Sequence, residues 1–220
     1  MIWFYYTFVS IKPLYKMRLS ILMKMKIILS ISITLVLFFI ECGNPFSIRN
    51  AEEPANPSSS WTPPHSADEV LINLINAIEE RNIENYMRCL IDSANSDAVF
   101  RFDPDPILAV EYASVFSDWN DQKEKAVMNL AFSKVPTDSL SKLVFTENIK
   151  EISTPDSVVL IKKYHLGLHH TDVSLPVEYE GQVEFWLTED RQGWWAIYRW
   201  IDNSVSDYRP WSYLKAVLSG

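Results

Sequence analysis

Glycine is scarce in this chain: five of 220 residues, at positions 43, 167, 181, 193 and 220. Their separation excludes the clustered glycines of a dinucleotide-binding turn and the strict repeat of a collagen. Cysteine is scarcer still, with only Cys42 and Cys89, too few for a disulfide framework or an all-cysteine zinc site. The four histidines form no H-E-x-x-H pair, and no P-loop or G-x-S-x-G pattern occurs. His165 and His169 are four residues apart, which on an extended strand is about 13 Å and too far to share one ion. No metal and no cofactor is therefore expected. Positive charge is also short. Twenty basic residues face twenty-eight acidic ones, a net charge of -8. A surface of that sign repels a phosphate backbone, so nucleic acid is not an expected partner.

What is present begins with an address. Five of the basic residues (Lys12, Lys16, Arg18, Lys24 and Lys26) lie before position 43. Lys24 and Lys26 precede the run IILSISITLVLFFI at 27–40, the length of a signal-peptide core. A permanent membrane helix is the alternative, but it needs about 20 apolar residues. Later starts are available at Met17, Met23 and Met25, so residues 1–42 read as a signal peptide with an over-long beginning. Cys42, at the end of the run, resembles the lipidated cysteine of bacterial lipoproteins, with Phe39, Ile40 and Glu41 where that family places small residues. The resemblance implies a diacylated N-terminus anchored in a membrane of the cell envelope, on its extracytoplasmic side. Two acyl chains suffice for stable anchoring. Gly43, in place of an aspartate retention signal, favours the outer membrane.

Residues 43–65 hold five of the twelve prolines and the run Ser58-Ser59-Ser60. Such composition cannot bury enough apolar surface to offset its ordering entropy. A disordered tether is expected, with Trp61 as the one residue suited to docking on a folded part.

From Ser66 the pattern becomes helical. Ser66 and Glu69 have capping-box spacing, and Val70, Leu71, Leu74, Ile75 and Ile78 recur along one stripe. Arg81-Asn82 interrupts it, and Ile83, Tyr86, Met87 and Leu90 share the face of a second helix, with Cys89 off that face as a free thiol. Residues 99–102 alternate as a short strand. Asp105-Pro106 opens a brief helix, and residues 121–132 form another whose stripe is Val127, Leu130 and Ala131. From Leu140 the period drops to 2. Val177, Tyr179, Gly181, Val183, Phe185 and Leu187 share one face against Glu178, Glu180, Gln182 and Glu184 on the other, a half-buried antiparallel strand. Gly181 in mid-strand points to a bend or bulge. Residues 190–193 form a hairpin turn, 194–202 the returning strand, and 210–218 a terminal piece in which Trp211 and Leu214 close the core. Helices first and a curved meander after give an α+β single domain over 66–220.

Two segments, SADEVLINLINAIEERNIENYMRCLID running into VFRFDPDP, and GWWAIYRWIDN with WSYLKAVL, resemble the nuclear transport factor 2-like superfamily. That is the cone fold of ketosteroid isomerase and SnoaL-type cyclases, here in its uncharacterised bacterial lipoprotein subgroup. The resemblance implies N-terminal helices packed on a curved antiparallel sheet, frequent pairing into dimers, and, in the enzymes, an Asp or His base beside Tyr donors inside the cone. It fixes no function, since the superfamily holds enzymes and binding modules alike.

Tyr164 and Tyr179 fall on inward parities, while His165 falls outside. Asp202 shares a parity with Trp200 that is opposite to Trp195 and Ile197, so it enters the cone only if the strand bulges; it then suits a general base. Otherwise it caps the strand end or pairs with Arg199 or Arg209. Trp186 and Trp194 sit on the solvent parity and, with Tyr112, suit a small apolar ligand, a protein partner or a glycan. Trp186 and Trp194 also suit a homodimer formed through the sheet face. A tethered binding module is the favoured reading. A cofactor-free isomerase, cyclase or dehydratase using Asp202 with Tyr164 or Tyr179 is the alternative.

Overall fold

The computed structural model describes residues 23–26, 60–205 and 207–219. Apart from residues 23–26, the expected signal peptide, Cys42 and most of the tether lie outside the described residues. Among those described, no helix is long and apolar enough to cross a membrane.

Helix α1 (Ala67–Glu79) starts where Ser66 Oγ accepts the Glu69 N–H at 3.3 Å. The Glu69 carboxylate reaches back to the His65 N–H at 2.5 Å, one residue beyond a standard capping box. The helix ends in a Schellman turn: Arg81 takes φ 53°, its N–H bonds Ile78 O, and the Asn82 N–H bonds Ala77 O. Asn82 then caps α2 (Ile83–Arg88). The interruption at Arg81-Asn82 is thus one residue serving the stop and the next serving the start. The Arg81 guanidinium also donates to the carbonyls of Val135, Pro136, Thr137 and Ser139, fixing that loop under the helix end.

A short strand, β1 (Arg101–Asp103), follows, beginning two residues and ending one residue later than the pattern predicts, with Val99 exposed and Phe100 and Phe102 buried. Helix α3 (Pro106–Glu111) is capped by Asp105, α4 (Ala113–Phe116) is a single turn, and α5 (Asp121–Ser133) is capped by Asn120. The buried stripe of α5 is Glu124, Val127, Met128, Ala131 and Phe132. Leu130, expected there, is 41% exposed because Met128 and Phe132 take the core-facing positions.

Four long strands complete the sheet: β2 (Ser141–Ser153), β3 (Val158–Leu168), β4 (Glu178–Glu189) and β5 (Trp195–Asn203), followed by helix α6 (Trp211–Leu218). Their order is β1-β5-β4-β3-β2, antiparallel throughout except that β1 runs parallel to β5. Register shifts between Phe145 and Glu147 and between Asn148 and Lys150 mark bulges along β2, the means by which a sheet curls. A further shift places Trp186 against Arg199 but Leu187 against Ile197, so Tyr198 is the extra residue of a bulge in β5.

That bulge realigns the strand. Ile197, Trp200 and Asp202 are all fully buried despite their differing parity. With Leu160, Tyr164, Leu166, Tyr179, Val183, Phe185 and Leu187 they make the concave face; α1 and α6 lie on the sheet, and α5 packs against α2 and α6. Gly181 forms no bulge; it pairs with Tyr164, and a Cβ there would lie 2.6 Å from the Tyr164 hydroxyl and 2.7 Å from Asn203 O. The absence of a side chain is what admits the tyrosine ring. Gly193, at φ 77°, supplies the hairpin turn.

The folded part reaches back before Ser66. The Thr62 backbone and the Asn73 side-chain amide exchange two hydrogen bonds, and the Trp195 N–H donates to Pro64 O at 3.0 Å. Trp61 stacks edge-on against Trp194 with centroids 5.7 Å apart.

Candidate functional site

The residues expected to line the cone are buried in its interior, and a hydrogen-bond network joins two of them, Asp202 and Tyr164. Asp202 Oδ1 accepts the Tyr164 hydroxyl at 2.8 Å. Asp202 Oδ2 accepts both the Ser212 N–H, at 2.6 Å, and the Ser212 hydroxyl, at 2.5 Å. The Tyr164 oxygen in turn accepts the Trp211 N–H at 2.6 Å. Helix α6 has Pro210 at its cap position and therefore no capping side chain of its own. Asp202, one strand end away, supplies that cap from outside the helix, where a carboxylate also suits the dipole. Neither Arg199 nor Arg209 pairs with it: Arg199 bonds Asp103 at 2.6 Å, and Arg209 lies over the Tyr213 ring.

Burial lifts the Asp202 carboxyl above the ordinary range, against the hydrogen bonds of Ser212 and Tyr164 and the charge of Lys215. Burial, with the adjacent Asp202 charge, drives the Tyr164 phenol far up. A raised carboxyl beside a tyrosine is the composition of a base and donor pair. Its oxygens, however, are already engaged, and Trp211 packs 5.8 Å from Tyr164 and 4.7 Å from Trp200. Tyr179 is fully buried and its hydroxyl has no hydrogen-bond partner among the described residues; burial pushes that phenol up as well.

A second network ties the same region together. The Ser212 hydroxyl accepts the Asp105 N–H at 3.0 Å. Asp105 Oδ1 caps α3 through the N–H groups of Ile107 and Leu108, while Oδ2 takes the N–H and hydroxyl of Ser204. Burial opposes its charge, but the bonds from Ser204, Leu108 and Ile107 hold the carboxyl below its usual value. Two aspartates thus fasten the starts of α3 and α6 to the end of β5.

Beneath them lies a feature that sequence reasoning missed. Lys215 is fully buried, with Nζ 3.5 Å from the Phe102 ring centroid, 4.0 Å from that of Trp200, and 2.9 Å from Glu124 Oε1. That last contact is an ion pair without aligned hydrogen-bond geometry. Glu124, also fully buried, accepts the Tyr86 hydroxyl at 2.5 Å and the Trp119 indole N–H at 2.8 Å. Burial depresses the Lys215 ammonium, opposed by the Glu124 charge. The signal was available: Glu124 stands three and four residues before Val127 and Met128, on the apolar stripe, and Lys215 stands four after Trp211.

Two clefts open elsewhere. One, of about 380 Å³, runs between α2, the 89–95 segment and the 190–192 turn, and includes Trp61, Met87, Arg88, Ile91, Trp194 and Trp195 in its wall. The other, of about 200 Å³, lies at the start of α1 between Ala67, Glu151, Leu160 and Trp195. Neither is lined by Asp202, Tyr164 or Tyr179. Trp194 belongs to the larger cleft. Trp186 does not; it lies on the convex sheet face, its N–H on Glu184 at 2.6 Å and its ring 5.5 Å from the Arg199 guanidinium. The expected pairing of these tryptophans on one surface is thereby divided into two places. Tyr112, half-buried between α3 and α4, lines neither cleft; burial and the Glu111 charge raise its phenol. His165 is on the outer face against Glu180, as its parity implied. Cys89 is buried, with its thiol on Asn85 O at 3.3 Å and its pKa pushed up by burial. Among the described residues no three His, Cys, Asp or Glu side chains gather as metal ligands.

No family model matches the chain, and no curated protein does. Many solved structures similar to it are nuclear transport factor 2-like proteins. One from Salmonella enterica serovar Typhimurium is 11% identical, with a TM-score of 0.46, covering 63% of this chain and 88% of its own. Another, from Cytophaga hutchinsonii, is 11% identical at TM-score 0.45, covering 62% and 93%. A candidate dehydratase of the same family from Streptomyces avermitilis is 11% identical at TM-score 0.45, covering 62% and 92%. At such identity these are likenesses of fold. The observed architecture, helices laid on the concave face of a bulged antiparallel sheet, is the α+β cone that the two sequence segments imply.

Proposed function

We propose that this chain is a membrane-tethered, extracytoplasmic lipoprotein whose cone-fold domain binds a ligand or partner on its outside, its interior being closed. The observation that carries this reading is the commitment of Asp202 and Tyr164 to the N-terminus of α6. A base whose lone pairs hold a helix in place is not available to a substrate, and Trp211 fills the space beside it. The basic and apolar leader, Cys42 and the proline-rich spacer support the anchor, lipid-held in the envelope and, from Gly43, in the outer membrane.

Two outer surfaces are suited to recognition. The first is the Trp61–Trp194 cleft, whose volume is within the range of about 300–1,000 Å³ typical of ligand sites. The second is the convex sheet face around Trp186, where Val159, Trp186 and Arg199 lie abreast; this face suits a homodimer. Native mass spectrometry of the purified chain reads both at once. A retained small molecule lost on Trp194→Ser, or a dimer lost on Trp186→Ser, supports the corresponding surface. A bare monomer unaffected by either substitution contradicts both. Fatty-acid labelling that is equal in the parent and Cys42→Ser removes the anchor.

The enzyme reading retains one specific support, the raised Asp202 carboxyl beside Tyr164. It requires α6 to leave its seat, exposing a cofactor-free isomerase, cyclase or dehydratase-like pair.

A further inference from the structure

The larger cleft has a chemistry narrow enough to name what it takes. Its walls are indoles: Trp61 and Trp194 meet edge to face, and Trp195 stands beside them, over a floor of Met87, Leu90 and Ile91. Its rim carries planar polar groups. The Arg88 guanidinium lies 4.8 Å from the Trp61 ring and holds no hydrogen bond among the described residues. The Gln192 side-chain amide is likewise uncommitted. Asp190 spends one oxygen on the N–H groups of Gln192 and Trp194, and the other accepts no hydrogen bond among the described residues.

Charge narrows the choice. Arg88 and Lys125 stand against Glu84, Asp92, Asp121 and Asp190, with Lys125 already paired to Glu84 at 2.7 Å. The balance is negative in a chain that is itself negative, so phosphate-bearing and other polyanionic ligands are repelled. A purely aliphatic ligand would strip water from six charged groups without returning hydrogen bonds. A neutral sugar meets both requirements. Its C–H face lies against an indole, a weak but directional contact, and its hydroxyl pairs bridge the guanidinium, amide and carboxylate of the rim.

We infer that the cleft is a binding site for a neutral oligosaccharide, with Trp194 as the stacking platform and Arg88, Asp190 and Gln192 as hydroxyl partners. This rests on the reading of the cleft as a recognition surface. The test titrates the full chain, purified in detergent, with N,N′,N″,N‴-tetraacetylchitotetraose, cellotetraose and maltotetraose, following tryptophan emission and heat. Tetralysine and hexametaphosphate serve as charged comparators. At least one sugar should give a saturable one-to-one isotherm, weakened at least tenfold by Trp194→Ala and by Gln192→Ala and unchanged by Trp186→Ala. Flat isotherms for all three sugars overturn the inference, as does sugar binding that survives Trp194→Ala in a variant of unaltered circular dichroism. If the sugars fail but tetralysine binds and Trp194→Ala abolishes it, the sugar assignment falls and the cleft remains a recognition surface. If Trp194→Ala alters no binding of any kind, both fall.

Discussion

Buried charge is the dominant cost at the level of single residues in this molecule. Lys215 and Glu124 are both withdrawn from water, and neither is tolerable alone in a low-dielectric interior. Their arrangement mitigates the cost: two donors from Tyr86 and Trp119 on the carboxylate, and two aromatic faces, Phe102 and Trp200, against the ammonium. Glu124→Leu should cost about 3–5 kcal/mol, since it strands a buried cation. The double variant Glu124→Leu, Lys215→Met should regain most of that in urea unfolding. A double variant no more stable than the single would contradict the pairing. Gly181 is a constraint of another kind. A Cβ there must displace the Tyr164 ring or the β5 backbone, so Gly181→Ala should destabilise by about 1–3 kcal/mol, measured as a lower urea midpoint; an unchanged midpoint contradicts the close approach.

Among the elements, α6 and α3 depend on carboxylates for their starts. Asp105 is buried yet ionised below the usual carboxylate range, held there by Ser204, Leu108 and Ile107. Its folded-state pKa is depressed, so its stabilisation is complete above about pH 4, the unfolded carboxylate value, and is lost as pH falls through the native one. Asp105→Asn should therefore lower Tm at neutral pH, with the difference from the parent closing under acid conditions. A gap that stays constant across the acid range would falsify this. The helix starts were legible in advance because caps are local: Ser66, and Asp105 before Pro106, declare themselves by spacing alone. The position of Asp202 was not. Its burial depends on one extra residue, Tyr198, in the pairing of β5 with β4, and a bulge is a property of two strands that neither displays by itself. The polar residues on apolar stripes, Glu124 and Lys215, were readable only as exceptions to periodicity until each had the other as partner.

For the molecule as a whole, the cone is closed at the α6 end by Trp211, Ser212 and Lys215, and the segment from residue 60 to 65 is laid along the outside, where Trp61 helps build a cleft. The sequence indicated the architecture well, since the change of period at Leu140 and the capped helices before it determine an α+β order. The division of Trp186 and Trp194 between a sheet face and a cleft came only with the strand register and the path of the turn at 190–193. If the convex face pairs two copies, sedimentation of the full chain should report a dimer that Trp186→Ser converts to monomer, with the sugar isotherm retained.

Asp202 holds in place the helix that closes this end of the cone. Catalytic carboxylates are commonly kept at the expense of stability, and their removal tends to stabilise a fold. The direct measurement is the unfolding free energy of Asp202→Ala against the parent in urea at neutral pH. A loss of about 3–5 kcal/mol is predicted, because the Ser212 N–H and the Tyr164 hydroxyl would be left buried without their acceptor. An unchanged or increased stability would contradict it.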